Sequence, residues 1–139
     1  MAEKKKQKKV APINPGLVHE YLFDRASVRS IWNEISTSRG LTEWFAEKVD
    51  IYGDDIHIYW DLKGDDRSGK IVEFEAPFKI KWVWDDDLDS FVSMEIVETE
   101  LSRTVSLLVE DHDLNMERET LDYIWENHIE KLMASLGLQ

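Results

Sequence analysis

The sequence predicts an α+β domain in which a curved seven-stranded antiparallel sheet wraps around one long C-terminal helix. Three observations predict it. Residues 47–110 alternate apolar and polar side chains in six short runs at hairpin spacing. A further run of the same kind, LVHEYLFD (17–24), stands ahead of them, separated by two short helical segments. The chain then closes on MERETLDYIWENHIEKLMASLG, where apolar residues recur at helical spacing.

The elements follow in order. APINPG (11–16) holds two prolines and a glycine and reads as a lead-in to the first strand. Ser27 suits the N-cap of VRSIWNEIS, whose Val28, Ile31, Trp32 and Ile35 share a face. Gly40 is expected to break that helix, and LTEWFAE (41–47) to form a second helical turn ending in Trp44-Phe45. EKVDIY (47–52) turns at Gly53-Asp54-Asp55 into IHIYWDL (56–62), and the turn after it leads to SGKIVEFE (68–75). Ala76-Pro77 precedes FKIKWVW (78–84). Asp85 to Asp89 form an acidic turn before SFVSMEIVE (90–98), and RTVSLLVE (103–110) ends the sheet. In the last segment Leu121, Ile124, Trp125, His128, Leu132 and Leu136 share one face. Asp113 or Asn115 is placed to cap its start and Gly137 to end it. A curled sheet with a single long helix as its main cover leaves a gap between the two.

Composition narrows the function classes. The chain has 139 residues, 42% of them hydrophobic, enough for one self-sufficient core despite 33% charged residues. It contains no cysteine, so disulfides and thiolate metal sites are excluded and a reducing cytoplasm is the expected location. The basic start is not followed by an apolar signal region, and no apolar run approaches a membrane span. Residues 3–9 carry a net charge of +4, so the rest must carry −16 to reach the total of −12. So acidic a body repels phosphate backbones, and nucleic-acid binding by the folded part is not expected. Residues 1–15 are expected to be a flexible basic tail, and 16–139 the domain.

The six tryptophans carry the functional question. In 78–84, Phe78, Ile80, Trp82 and Trp84 point one way, and Lys79, Lys81 and Val83 the other. The lysine side faces water, so the tryptophan side faces the long helix. Ile56, Ile58 and Trp60 are expected on the same inner face. So are Val92, Met94 and Ile96, and Val105, Leu107 and Val109. Trp125 and Trp44-Phe45 join them from the helices, while His57 and Tyr59 fall on the outer face. Indole rings can simply fill such an interior, or they can wall a pocket for an apolar ligand. The residues alone leave both readings open. Glu73 shares parity with Ile71 and would point inward, where it would need a donor. His128 lies on the apolar stripe, where a satisfied core histidine and a ligand-holding one are both possible.

Several motifs resemble the START-like superfamily, also called helix-grip or birch-pollen-allergen-like. Within it the likeness is to bacterial domains related to the activator of the ninety-kilodalton heat-shock chaperone. Ala26, Ile31-Trp32 and Leu41-Thr42-Glu43-Trp44-Phe45 stand at that family's spacings. A second motif matches Gly69, Ile71, Glu73, Pro77, Ile80, Trp82 and Trp84, and a third Trp125, Ile129, Leu132 and Leu136. Thr37-Ser38, in place of the family's Asp-Pro, and the acidic cluster after Trp84 depart from the pattern. The resemblance implies a helix-grip fold and favours the pocket. Phe45, Trp60, Trp82, Trp84 and Trp125 are then the expected wall, with Glu73 and His128 orienting a small hydrophobic or lipid-like ligand. It also implies two alternatives: a protein-interaction module of the chaperone-activator type, and a cyclase-type enzyme using Glu73 with His128.

Other motifs fail on inspection. Gly64 to Lys70 matches G-x-x-x-x-G-K, but Ile71 follows instead of Ser or Thr, a strand follows instead of a helix, and two aspartates would repel phosphate. Asp85, Asp87 and Asp89 have calcium-loop spacing, yet Ser90 and Ile96 stand where Gly and Glu are required. The four histidines form no metal-ligand set, and no metal or cofactor is expected.

Overall fold

The computed structural model describes residues 16–99, 101–102 and 104–138. The predicted basic tail, residues 1–15, lies outside the described residues. The elements run β1 (Leu17–Phe23), α1 (Val28–Ser36), α2 (Ser38–Trp44), β2 (Lys48–Tyr52), β3 (Asp55–Tyr59), β4 (Asp66–Glu75) and β5 (Lys79–Trp84). They continue through β6 (Asp87–Thr99) and β7 (Thr104–His112) to α3 (Arg118–Ser135). Among the described residues the strands form one seven-stranded sheet in the order β1-β7-β6-β5-β4-β3-β2. Every pairing is antiparallel, and only β1 with β7 joins strands distant in sequence.

The alternation sets the inner face. Ile80, Trp82 and Trp84 are buried on β5, while Lys79, Lys81 and Val83 stay half-buried on the other side. Register carries the same face across the sheet: Trp82 lies opposite Val92, and Met94 opposite both Ile80 and Val109. α3 covers this face with Leu121, Trp125, Ile129 and Leu132, all buried. Each such side chain contributes about 1.5–3 kcal/mol by leaving water, and their convergence holds the helix against the sheet.

The helical corner shows why Trp44 and Phe45 reach the core. Ser27 caps α1 by accepting from the Ser30 amide at 3.0 Å, as its position suggested. Thr37 ends α1 and caps α2 at once: its Oγ1 donates to the Asn33 carbonyl at 2.7 Å and accepts from the Gly40 amide at 2.9 Å. Gly40 therefore does not break a helix. It sits inside α2, where a Cβ would lie 2.3 Å from the Asn33 carbonyl oxygen, so only glycine lets the two helices approach. The Trp44 indole N–H donates to the Glu34 carbonyl at 2.9 Å and ties α2 to α1.

Two further expectations are corrected. Neither Asp113 nor Asn115 caps α3: Glu117 holds the N-cap position with no side-chain bond, and Asp113 is engaged in the turn before it. Gly137 ends the helix as expected, at φ 79°, with Leu138 N–H donating to Met133 O at 2.8 Å. Glu73 does not point inward. A β-bulge at Val72 shifts the register, so Ile71 faces Trp82 but Glu73 faces Lys81 on the outer side. Its carboxylate pairs with Lys79 at 3.0 Å and Lys81 at 3.8 Å, and the Lys79 hydrogen bond holds its pKa below the usual carboxylate value.

Candidate functional site

A cavity of about 290 Å³ opens between the sheet and the first half of α3. Phe45, Trp60, Trp84, Val92, Leu121 and Ile124 supply its apolar wall, with Met116 beside them. Asp65, Arg67, Asp111 and Asp113 make one end polar, and His128 adds a ring from α3. The size falls at the lower end of the ~300–1,000 Å³ of small-molecule sites, and the mixture of apolar wall and few polar groups is theirs too.

Of the residues expected at the site, the structure places Phe45, Trp60, Trp84 and His128 in the cavity wall. Trp82 and Trp125 do not line it. Both are fully buried and stand behind Phe45, whose ring centroid lies 5.6 Å from Trp82 and 5.7 Å from Trp125. Phe45 also packs 5.2 Å from Trp60 and 4.9 Å from His128, so it is the junction between wall and core. Glu73 is absent from the site for the reason given above. The Trp82 indole N–H is buried with no hydrogen-bond partner among the described residues, so this ring acts as packing.

The polar end is the part that sequence reasoning missed. Arg67 lies over the Trp84 ring at 4.4 Å. Its Nη1 donates to Asp113 at 2.9 Å, and its Nη2 to Asp86 at 2.9 Å. Asp113 is buried and uses its other oxygen to accept the Asn115 amide at 2.9 Å. Asp111 accepts from the Trp125 indole N–H at 2.8 Å. It is half-buried and lines the cavity. Desolvation accordingly raises its pKa from 3.8 to about 6, with Asp113 adding to the rise and the Trp125 bond and Arg67 opposing it. His128 moves the other way: burial, helped by Lys131, lowers its pKa to about 4 against a backbone hydrogen bond to Trp44. At neutral pH it is an uncharged ring. Asp111 was within reach of the sequence, because the parity of Val105, Leu107 and Val109 continues to Asp111 and Asp113.

A curved antiparallel sheet gripping one long helix, with a cavity where the helix lifts from the strands, defines a helix-grip domain. The chain belongs to the START-like superfamily, whose domain model matches residues 15–138. A solved Bacteroides fragilis protein is 28% identical over 86% of this chain and 88% of its own, with a TM-score of 0.59. The Aha1 dimer from Colwellia psychrerythraea is 15% identical, covers 87% of this chain and 95% of its own, and has a TM-score of 0.69. An AHSA1-like protein from Aeromonas hydrophila is 13% identical over 88% of this chain and 96% of its own, at a TM-score of 0.65. No curated protein matches the chain. The fold and the family resemblance read from the motifs therefore stand. Among the described residues no helix is long and apolar enough to cross a membrane, and no three His, Asp or Glu side chains gather as a metal site.

Proposed function

We propose that this chain binds a small, largely apolar molecule, without turnover, in the cavity between its sheet and α3. The observation that carries the reading is the cavity itself: an aromatic and aliphatic wall of Phe45, Trp60, Trp84, Val92, Leu121 and Ile124 closed at one end by fixed polar groups. Phe45, Trp60, Trp84 and His128 contact the ligand in this reading, and Trp82 and Trp125 hold Phe45 in place. The cyclase-type alternative loses its pair, because Glu73 is tied to lysines on the outer face while His128 faces the cavity. The cysteine-free composition supports a cytoplasmic setting.

The direct test is native mass spectrometry of the purified chain, followed by extraction and identification of any adduct. A stoichiometric apolar adduct is the expected result. Ile124→Trp, which fills the cavity from α3, should fold and lose it. An adduct retained by folded Ile124→Trp protein, or a wild-type chain that neither carries nor takes up any apolar molecule, would overturn the reading.

One observation favours a second reading, a protein-interaction module. Val72, Phe74 and Phe78 are 54%, 53% and 45% exposed near the β4 bulge, and Trp32 packs 5.2 Å from Phe74. A partner captured by the wild type and lost on Phe74→Ser, with the cavity empty, would favour that reading over ligand binding.

A further inference from the structure

The polar end of the cavity says what kind of apolar molecule fits, an inference that rests on the binding reading above. Four charged residues line the cavity: Asp111, Asp113 and Arg67, with the exposed Asp65. The guanidinium is already occupied. Its Nε and Nη2 serve Asp86, its Nη1 serves Asp113, and one face lies on Trp84. Asp113 in turn has both oxygens engaged, one by Arg67 and one by the Asn115 amide. Asp111 differs. One oxygen is fixed by the Trp125 indole, and the other has no partner among the described residues. Trp125 is fully buried and cannot swing away, so the Asp111 carboxylate, which lines the cavity, is held there as a preoriented acceptor.

We infer that the ligand is an apolar molecule carrying one protonated amine, its ammonium on the free oxygen of Asp111 and its apolar body against Phe45, Trp60 and Ile124. The sign of the site decides against the other polar ends. With three carboxylates against one guanidinium that is already paired, a ligand carboxylate would enter a field of its own sign with no free strong donor to meet it. A hydroxyl would give the ionised Asp111 a hydrogen bond with a charge on the acceptor alone. An ammonium brings the opposite charge to the same bond and adds the Coulomb attraction of an ion pair in a partly desolvated site. Arg67 already lies over the Trp84 ring, so the cation's place is on the Asp111 carboxylate.

The test uses three probes with one apolar body and three polar ends: phenylpropylamine, phenylpropanol and phenylpropanoate. Each is titrated into the intact chain by calorimetry above the Asp111 transition, at pH ~8. The amine should bind at least about tenfold more tightly than the alcohol, and the carboxylate most weakly. In Asp111→Asn, which keeps an acceptor for Trp125, the amine-to-alcohol ratio should fall to about one. Equal binding of amine and alcohol by the wild type, tightest binding of the carboxylate, or an undiminished ratio in Asp111→Asn would overturn the amine assignment while leaving the cavity a binding site. Failure of all three probes would overturn both. Should Asp111→Asn not fold, the wild-type ranking carries the test.

Discussion

Asp111 and His128 bind protons in opposite senses, and their effects on stability should cancel in the wild-type chain and emerge when either is removed. Asp111 titrates near 6 in the folded protein instead of 3.8, so the native state holds a proton that the unfolded chain has released. Its contribution to stability is therefore full below about 3.8 and lost as pH rises through about 6. His128 titrates near 4 instead of 6.5, so the unfolded chain binds the proton first. Its contribution is full above about 6.5 and lost as pH falls through about 4. At ~1.36 kcal/mol per pKa unit each shift amounts to about 3 kcal/mol. Both side chains face a cavity that water can enter, which reduces this to roughly 2 kcal/mol each. The groups around them, Arg67 and Asp113 beside Asp111 and Lys131 beside His128, stay in place in both variants. Urea unfolding followed by tryptophan fluorescence between pH ~4 and ~7 reads the effect. With slopes of ~1–3 kcal/mol per molar, Asp111→Asn should gain about 1 M in midpoint over the wild type across that window. His128→Phe should lose about as much. If either variant runs parallel to the wild type throughout, its group is solvated in the native state and the electrostatics drawn for the site are wrong.

Further predictions concern the packing behind the site. Asp113→Asn should cost about 2–3 kcal/mol and Asp86→Asn under ~0.5, because the same guanidinium meets one carboxylate 9% exposed and another 63% exposed. Comparable losses from the two in chemical denaturation would mean that burial does not decide this pair. Trp82→Ala should cost about 3–5 kcal/mol in the same assay. Trp82→Phe should stay within ~1.5 kcal/mol of the wild type, since it also removes a buried N–H that has no partner. Gly40→Ala should lower the thermal midpoint by several degrees, as the new Cβ would overlap the Asn33 carbonyl 2.3 Å away. An unchanged midpoint would show that α1 and α2 can separate at little cost.

What was legible in the sequence, and what was not, divides along one physical line. Alternation is a property of the backbone, so runs such as FKIKWVW announce both a strand and its buried side, and the seven strands follow from it. The Ser27 cap and the span of α1 are local in the same sense. Parity fails where the backbone gains a residue. One bulge at Val72 moved Glu73 from the inner face to a pair of outer lysines, and no side chain near it signals the insertion. Gly40 is the wrong stop for α1 because a helix end and a helix start share Thr37, three positions earlier.

The polar end of the cavity was missed in a different way. A rejected phosphate loop, Gly64 to Lys70, contains Arg67, and its setting among aspartates was read only as a reason for rejection. In the fold that arginine joins β4, the β5–β6 turn and the segment before α3 through Asp86 and Asp113. Such a junction spans 46 residues of sequence, a distance over which spacing carries no signal. Asp111 was different, since continuing the β7 parity by one step places it inward. An acidic residue on an otherwise apolar face of a strand is costly unless something compensates it. One oxygen is compensated by Trp125 within the chain, and the other has no partner among the described residues although the residue lines the cavity, which is why its partner is sought in a ligand.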